Sequence, residues 1–325
     1  MEIYRVGEKI KEERTRRNLS QEDVCHGICS SGTLSRIENG TQKPNLKIQE
    51  ALLERLGCST ENLVFFASNE EVIKHNLELE LGVLTMHRKP VGKKLKEYDS
   101  LISDASSTQG LEKQFFLTME AICGFYSREW ELSRVYEQLE AALRLSIPNY
   151  EESKVTSIKL LTNTEITILN NLALVLYRQE EHVRAISIMS YLVRYVENSD
   201  FNIETTGKKY PMLIYNLARM METIGSYKEM YRTCDKGIEF CKKYGRLAAM
   251  PELFYYKAVA CQKLDKIAEA IECLEYAICL DKITDNWETA KNVQTEYDEL
   301  LKCNCIINHT SHNTLPQEQI QSSEA

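Results

Sequence analysis

Short hydroxyl side chains and one arginine follow one another between Ser30 and Gly40, near the start of the chain. Ser30 can cap the first turn of a helix, and Gly40 can adopt the left-handed conformation that ends one. Leu34 and Ile37, three residues apart, predict the buried face of that helix. The residues left to face outward are Ser31, Gly32, Thr33, Ser35 and Arg36. Such side chains suit the base edges and phosphates of a DNA major groove, although a polar surface helix would carry the same pattern.

The neighbouring residues favour the DNA-binding interpretation, because they predict four further short helices. The first helix is predicted over Tyr4–Arg17. The second follows the capping signature Ser20–Asp23, where Gln21 would meet a phosphate beside the open backbone amides. A fourth helix is predicted over Leu46–Leu56, and a fifth from the capping residues at 59–61 to about Phe66.

Five short helices, with a tight turn between the second and the third, resemble the lambda-repressor/Cro-like helix-turn-helix. The matching residues are Gly7, Ile10, Arg14, Leu19, Ser20, Gln21, Val24, the run Ser35–Gly40, and Pro44. The resemblance implies that Arg14 pairs with Glu38 as part of the scaffold. Gln21, Ser30, the outward residues of the third helix and Lys43 in the following turn form the predicted DNA-binding set.

The turn Cys25–Cys29 is one residue shorter than in most such repressors. In this respect the chain resembles the cytoplasmic peptide-pheromone receptors of Gram-positive bacteria, the PlcR-like and Rgg-like regulators. In those proteins an Ile-Cys pair precedes the recognition helix. The resemblance implies binding to DNA and to a short signalling peptide.

Composition and charge agree with a helical DNA-binding protein. With 325 residues, 43% hydrophobic residues and only 13 Gly and 6 Pro, the chain is predicted to be all-α with two domains. Residues 1–66 contain 10 basic and 10 acidic residues, and the remainder holds the whole formal net charge of −8. A neutral DNA-binding domain argues against indiscriminate polyanion binding. It therefore predicts a homodimer on an inverted-repeat operator.

The sequence also predicts a cytoplasmic location without membrane contact. No run of 18 apolar residues occurs, and Met1–Ile10 is amphipathic rather than a charged and then apolar leader. The 11 cysteines do not make a disulfide scaffold in a chain of this length. Cys123, Cys261 and Cys273 fall on apolar helix faces, where free cysteine behaves as a small hydrophobic residue.

Repeated small residues organise the helical region from residue 69 to residue 302. Ala258 is followed by Ala270 twelve residues later and by Ala277 nineteen residues later, and two earlier series follow the same template. This is the tetratricopeptide pattern, with repeats somewhat longer than the usual length of about 34 residues. Pro211 and Pro251 each stand seven residues before an aligned alanine, where proline suits the first turn of a helix. The predicted architecture is a right-handed superhelix with a concave inner face.

Polar and aromatic residues stand at the positions predicted to turn inward. An asparagine amide offers a donor and an acceptor together, so it can satisfy one peptide unit of an extended ligand. Tyrosines add flat apolar area with a polar tip. The predicted peptide-binding residues are Asn170, Asn171, Arg178, Tyr215, Asn216, Arg219, Tyr255, Tyr256 and Lys263. The resemblance to peptide receptors favours this site over the wetted surface of a structural solenoid.

The last residues include the types found in zinc sites. Cys303, Cys305, His309 and His312 lie beyond the last periodic helix, in a segment over residues 303–325 rich in Asn, Ser, Gln and Thr. A flexible tail without metal is predicted there. No glycine-rich phosphate loop or paired-acid arrangement stands out, so neither a cofactor nor an enzymatic activity is predicted.

These patterns together predict a transcription regulator. A helix-turn-helix domain over residues 1–66 would bind double-stranded DNA, and a repeat domain over residues 69–302 would dimerise and sense a quorum-sensing peptide. One alternative is a regulator of the same architecture that needs no peptide or responds to a protein partner. Another is a scaffold with a vestigial helix-turn-helix, against which Gln21 and Arg36 argue.

Overall fold

All the secondary structure in the described part of the chain is helical. The computed structural model describes residues 6–60, 67–86, 89–103, 109–198 and 203–312. These residues form 15 α-helices and two short 3-10 segments and contain no strand, which confirms the all-α prediction. None of these helices combines the length and the apolar character needed to cross a membrane.

The helices follow one another through short connections. The first four are α1 (Val6–Arg16), α2 (Gln21–Cys25), α3 (Ser31–Glu38) and α4 (Leu46–Arg55). The next seven are α5 (Asn69–Met86), α6 (Gly92–Ser103), α7 (Gln109–Ser127), α8 (Leu132–Arg144), α9 (Asn163–Arg178), α10 (His182–Asn198) and α11 (Ile203–Thr223). The last four are α12 (Tyr227–Tyr244), α13 (Met250–Lys263), α14 (Ile267–Ile283) and α15 (Trp287–His312). The 3-10 segments are Glu152–Ser157 and Leu247–Ala249.

The chain divides into two compact units, Met1–Met220 and Met221–Ala325. The first unit contains α1 to α10 and most of α11, and the second contains α12 to α15. We call α1 to α4 the head, and the part of the first unit from α5 onward the repeat region. The predicted domain division between residues 66 and 69 falls inside the first unit and stays a prediction. The predicted fifth helix of the head, near residues 61–66, lies outside the described residues.

Side-chain caps fix where the head helices begin. Ser20 Oγ accepts a hydrogen bond from the backbone N–H of Asp23 at 3.0 Å, and the Asp23 carboxylate accepts one from the Ser20 N–H at 2.9 Å. Ser30 Oγ accepts the N–H of Thr33 at 3.1 Å. These bonds satisfy first-turn amides that have no partner within the helix. The caps predicted at Ser20 and Ser30 are therefore confirmed.

The head encloses one apolar core. Its buried residues are Ile10, Val24, Cys25, Leu34, Ile37, Leu46, Leu52, Leu53 and Leu56. Gly7 lets α1 approach α3 closely, because a Cβ there would lie 1.9 Å from the carbonyl oxygen of Ile37. Arg14 donates two hydrogen bonds to the Glu38 carboxylate, at 2.6 and 2.9 Å, as the family resemblance implied. The core and this ion pair together fix the direction of α3.

The aligned small residues of the repeats are buried between paired helices. In the first unit Ala142 and Ala173 have no exposed surface, and α8 and α9 pack against each other there. In the second unit Ala258, Ala270 and Ala277 are likewise fully buried, where α13 packs on α14. The repeat template predicted from the sequence therefore identifies helix contacts correctly.

Two predictions about helix ends are wrong. Pro211 lies well inside α11, which begins at Ile203, because a packed helix tolerates the one backbone hydrogen bond that proline removes. Pro251 does lie in the first turn of α13. The helix α15 continues to His312, into the predicted tail, because no Gly or Pro interrupts it before Pro316. The side chains of Cys303, Cys305, His309 and His312, where a tail without metal is predicted, are outside the described part of the structure.

Arg55, at the end of α4, connects the head to the repeat region through buried bonds. Its guanidinium donates to the carbonyl oxygens of Val24, at 3.2 Å, and His26 in the head. It also donates to Glu165 Oε1 on α9 at 2.9 Å, and the two side chains are only 3% and 0% exposed. Ser146 donates a further hydrogen bond to the same Glu165 oxygen at 2.6 Å. The buried charges of Arg55 and Glu165 are thus paired with each other, and each side chain also forms hydrogen bonds with neutral groups.

Further contacts lie along the interface between the head and the repeat region, which we call the seam. Gly27, with φ +69°, packs so tightly that a Cβ would lie 1.7 Å from the carbonyl oxygen of Ser146. On the other side of α4, His75 Nδ1 lies 2.8 Å from Glu50 Oε1, and the N–H of Leu46 donates to a carboxylate oxygen of α5. The head is therefore hydrogen-bonded to α5 and α9 of its own unit, and it packs against the chain just after α8.

We expect disruption of the buried ion pair to destabilise the first unit strongly. Glu165→Ala leaves the Arg55 charge buried without its partner, which costs about 3–5 kcal/mol of unfolding free energy. Replacing both residues, Arg55→Met with Glu165→Met, should recover part of this loss, because no buried charge then lacks a partner, although Ser146 and the Val24 and His26 carbonyls each lose a hydrogen bond. Urea unfolding of the full chain measures both effects.

The matched control is Glu140→Ala, which removes an exposed ion pair with Arg144 in the same unit. Exposed pairs contribute at most about 1 kcal/mol, so this variant should unfold almost as the wild type does. Equal losses for Glu140→Ala and Glu165→Ala would contradict the assignment of a special role to the buried pair.

Candidate functional site

The outward side of α3 is open to solvent. Leu34 and Ile37 lie in the head core, as predicted. The opposite side carries the exposed or half-buried residues, which are Ser30, Ser31, Gly32, Thr33, Ser35 and Arg36. Lys43 is also exposed, in the turn between α3 and α4. The structure therefore leaves these predicted DNA-binding residues accessible together.

Arg36 is held by two neighbouring side chains. Its Nη2 donates a hydrogen bond to Thr33 Oγ1 at 3.2 Å, and its Nε donates to Gln42 Oε1 at 2.8 Å. Ser30 Oγ in turn lies 2.9 Å from Thr33 Oγ1. The sequence pattern does not predict a role for Gln42, because its approach to Arg36 depends on how the chain turns back at Gly40.

Gln21 lies at the start of α2, as predicted, but its side chain is used within the head. Its Nε2 donates a 2.7 Å hydrogen bond to Glu38 Oε2, the oxygen that also accepts from Arg14. Burial acts to raise the pKa of Glu38, but the hydrogen bonds from Arg14 and Gln21 hold it below its usual value. Gln21 therefore belongs to the scaffold that orients α3, and a phosphate contact would come in addition.

A second candidate surface lies on α9 and α11 of the first unit. Asn171 Nδ2 donates to the carbonyl oxygen of Thr167 at 2.8 Å, and Asn216 Nδ2 donates to Asn170 Oδ1 at 2.9 Å. All three asparagines are buried, with 3–6% of their surface exposed. An amide group has two N–H donors and a carbonyl oxygen, so one bond does not saturate it. The structure brings the three predicted asparagines together between two helices.

Cationic and aromatic side chains accompany these asparagines. The guanidinium of Arg219 lies 5.2 Å from the ring centre of Tyr177. The guanidinium of Arg178 lies 3.9 Å from the ring centre of Phe125 and donates to the Phe125 carbonyl oxygen at 3.1 Å. Tyr215 on α11 is half-buried. The predicted arginines of this unit are therefore held against aromatic rings, an arrangement that lowers the entropy lost when they bind a carboxylate.

Lys209 is a further candidate residue of this surface, and the repeat template did not predict it. Its Nζ donates to Thr167 Oγ1 at 2.8 Å and to the carbonyl oxygen of Asn163. Asn163 donates from its backbone N–H and from Nδ2 to Glu54 of the head, at 2.8 Å each. One row of hydrogen bonds thus runs from Asn171 through Thr167 and Asn163 to the head. The four-residue spacing of these three polar residues on α9 is the sequence signal that could have revealed it.

The predicted peptide-binding residues of the second unit lie on α13. Tyr255 OH donates to Glu296 at 3.1 Å, and its ring lies 5.3 Å from that of Tyr256. Burial, followed by the neighbouring carboxylates, raises the pKa of Tyr255 to about 12. Lys263 is exposed at the end of the helix. These three residues offer a polar and aromatic surface within their own unit.

Comparisons with known proteins identify the helix-turn-helix segment and the fold of the chain. Residues 10–63 match the helix-turn-helix family model. No curated protein sequence matches the chain. Bacillus thuringiensis PlcR in complex with the peptide PapR7 and DNA is similar at a TM-score of 0.58 and 17% identity, over 90% of this chain and 99% of that one.

A second PlcR structure gives the same picture of the fold. The apo form of Bacillus thuringiensis PlcR has a TM-score of 0.54 and 16% identity, over 89% of this chain and 99% of that one. The apo form of the competence regulator ComR from Streptococcus vestibularis has a TM-score of 0.49 and 18% identity, over 91% and 98%. The similarity to PlcR shows that this chain has the PlcR fold.

The buried amine of Lys209 predicts a pH dependence of stability. Burial lowers the pKa of Lys209 to about 8, although the attraction of Glu54 acts to raise it. In the unfolded chain the pKa of a lysine is about 10.4. Between these values the unfolded chain holds a proton that the folded chain has released. The unfolding free energy contributed by this group therefore rises as the pH increases from about 8 to about 10.

Unfolding in urea at a series of pH values tests this dependence against Lys209→Met, which lacks the group. The wild type should gain stability relative to Lys209→Met over that interval. The control Lys242→Met removes an exposed lysine and should leave the wild-type profile unchanged. Parallel profiles for wild type and Lys209→Met would contradict the lowered pKa.

Proposed function

We propose that this protein is a sequence-specific DNA-binding transcription regulator whose repeats bind a short signalling peptide. The observation that carries the proposal is the open polar side of α3, within a segment that matches the helix-turn-helix family. In helix-turn-helix proteins the helix at this position enters the major groove and contacts base edges. Ser31, Thr33 and Ser35 would contact bases, and Lys43 would contact a phosphate.

The charge of the head favours binding as a homodimer. Residues 1–66 have no formal net charge, and the remainder is acidic, so one head attracts the phosphate backbone weakly. Two heads related by a two-fold axis double the contacts and match an operator that is an inverted repeat. A dimer also makes binding selective, because a single half-site contacts only one of the two heads.

Peptide binding is supported by the asparagine cluster on α9 and α11. Asn171 and Asn216 each have one amide N–H bonded internally, and each retains further capacity for an extended backbone. Arg219, stacked on Tyr177, would hold a carboxylate of the peptide. PlcR, whose fold this chain shares, was crystallised with the peptide PapR7 and DNA.

A cytoplasmic location follows from this proposal, since the operator and the imported peptide would meet there. The nine cysteines whose side chains the structure describes are all free thiols. Free thiols suit a reducing compartment.

Gel shifts with the upstream region of the protein's own gene test the DNA-binding proposal. Ser31→Ala and Thr33→Ala should each change which bases are preferred, because a lost base contact costs about 1–3 kcal/mol at the affected position only. The control Ser100→Ala removes an exposed hydroxyl on α6 and should bind as the wild type does. Binding that ignores sequence in every variant, or no binding at moderate salt, would refute the proposal.

A further inference from the structure

The turn after α3 folds back onto Arg36 and fixes its backbone. The carbonyl oxygen of Arg36 accepts hydrogen bonds from the N–H groups of Thr41 at 2.9 Å and Gln42 at 3.2 Å. It also accepts one from Thr41 Oγ1 at 3.1 Å. The left-handed conformation of Gly40, with φ +71°, permits this reversal. Gln42 is thereby brought beside the arginine six residues before it.

The side chain of Arg36 then runs back along α3 toward its first turn. The Nε–H is taken by Gln42 Oε1 and one Nη2–H by Thr33 Oγ1. Nη1 lies 3.9 Å from the position that a Cβ of Gly32 would occupy. Gly32 has no side chain, so the strip of surface over which the guanidinium lies stays open. Helical side chains lean toward the N-terminus of their helix, which gives this direction a general cause.

The position and the orientation of this guanidinium both favour a base over a phosphate. The first turn of a recognition helix reaches the base edges, while phosphate contacts lie at the periphery of the groove. The bonds to Gln42 and Thr33 use the Nε–H and one of the two Nη2–H groups. The edge formed by Nη1 and Nη2 still presents parallel N–H groups, the arrangement that fits the O6 and N7 acceptors of guanine.

We propose that Arg36 reads a guanine in each operator half-site through this Nη1–Nη2 edge, and that Gln42 is the residue that positions it. This proposal rests on the proposed DNA-binding function and names the base that the function requires. Holding the guanidinium in place before binding reduces the side-chain entropy lost on contact. Lys43, exposed in the same turn, suits a phosphate.

The test uses the full-length protein and a duplex selected for binding from a randomised DNA pool. Each guanine is replaced in turn by 7-deazaguanine, which pairs normally but lacks the N7 acceptor. We expect one position per half-site where the replacement weakens wild-type binding roughly five- to a hundredfold. At that position the replacement should have no effect on Arg36→Ala, which has already lost the contact.

Variants of Gln42 separate positioning from a general structural role. Gln42→Leu keeps the size but removes the acceptor, so it should reduce discrimination at the same guanine and have little further effect when combined with Arg36→Ala. Gln42→Glu keeps an acceptor and should retain discrimination. The control Lys43→Gln should weaken binding to all duplexes and reduce its salt dependence, with the 7-deazaguanine profile unchanged.

Two outcomes overturn the inference in distinguishable ways. If the selected duplex binds but no 7-deazaguanine replacement matters, while a methylphosphonate linkage removes the contribution of Arg36, then Arg36 contacts a phosphate and only this inference fails. If no duplex is selected at all, the proposed function fails with it. Arg36 is exposed, so its replacement should leave the helical circular dichroism of the protein unchanged.

Discussion

The buried ion pair between Arg55 and Glu165 is the interaction on which the arrangement of the first unit depends. A charge without water needs a partner and hydrogen bonds in a definite geometry, and here both are supplied from the two sides of one seam. Apolar contacts alone would let the head slide over the repeat region, because they have no preferred direction. The ion pair, together with the close approach at Gly27, selects one position of the head.

This constraint gives the candidate peptide surface a physical connection to the DNA-binding head. The hydrogen bonds from Asn171 through Thr167 and Asn163 end on Glu54, the residue next to Arg55 on α4. Lys209 of α11 joins the same row. A peptide that changes the spacing of α9 and α11 must therefore strain or relieve bonds made by α4. Coupling of this kind requires that the peptide prefers one arrangement over another.

Much of the fold was predictable because its determinants are local in sequence. Ser20 and Ser30 act through neighbours within one helical turn, the alanine series acts through contacts between consecutive helices, and the structure confirms both. The Arg14–Glu38 pair came from the family resemblance rather than from spacing. The seam was not predictable, since Arg55 and Glu165 are far apart in sequence and each looks like a surface residue. Gln42 escaped notice for a related reason, because its role depends on the path of one turn.

The most direct test of the whole account measures the linkage between peptide and operator. A fluorescent heptapeptide, selected from a random library for binding to the full chain, is titrated with and without saturating operator duplex. The account predicts that operator changes the peptide Kd by about five- to a hundredfold, and that peptide changes the operator Kd by the same factor. Asn216→Ala should weaken peptide binding and should leave operator binding in the absence of peptide unchanged. Equal peptide affinity with and without operator would contradict the account.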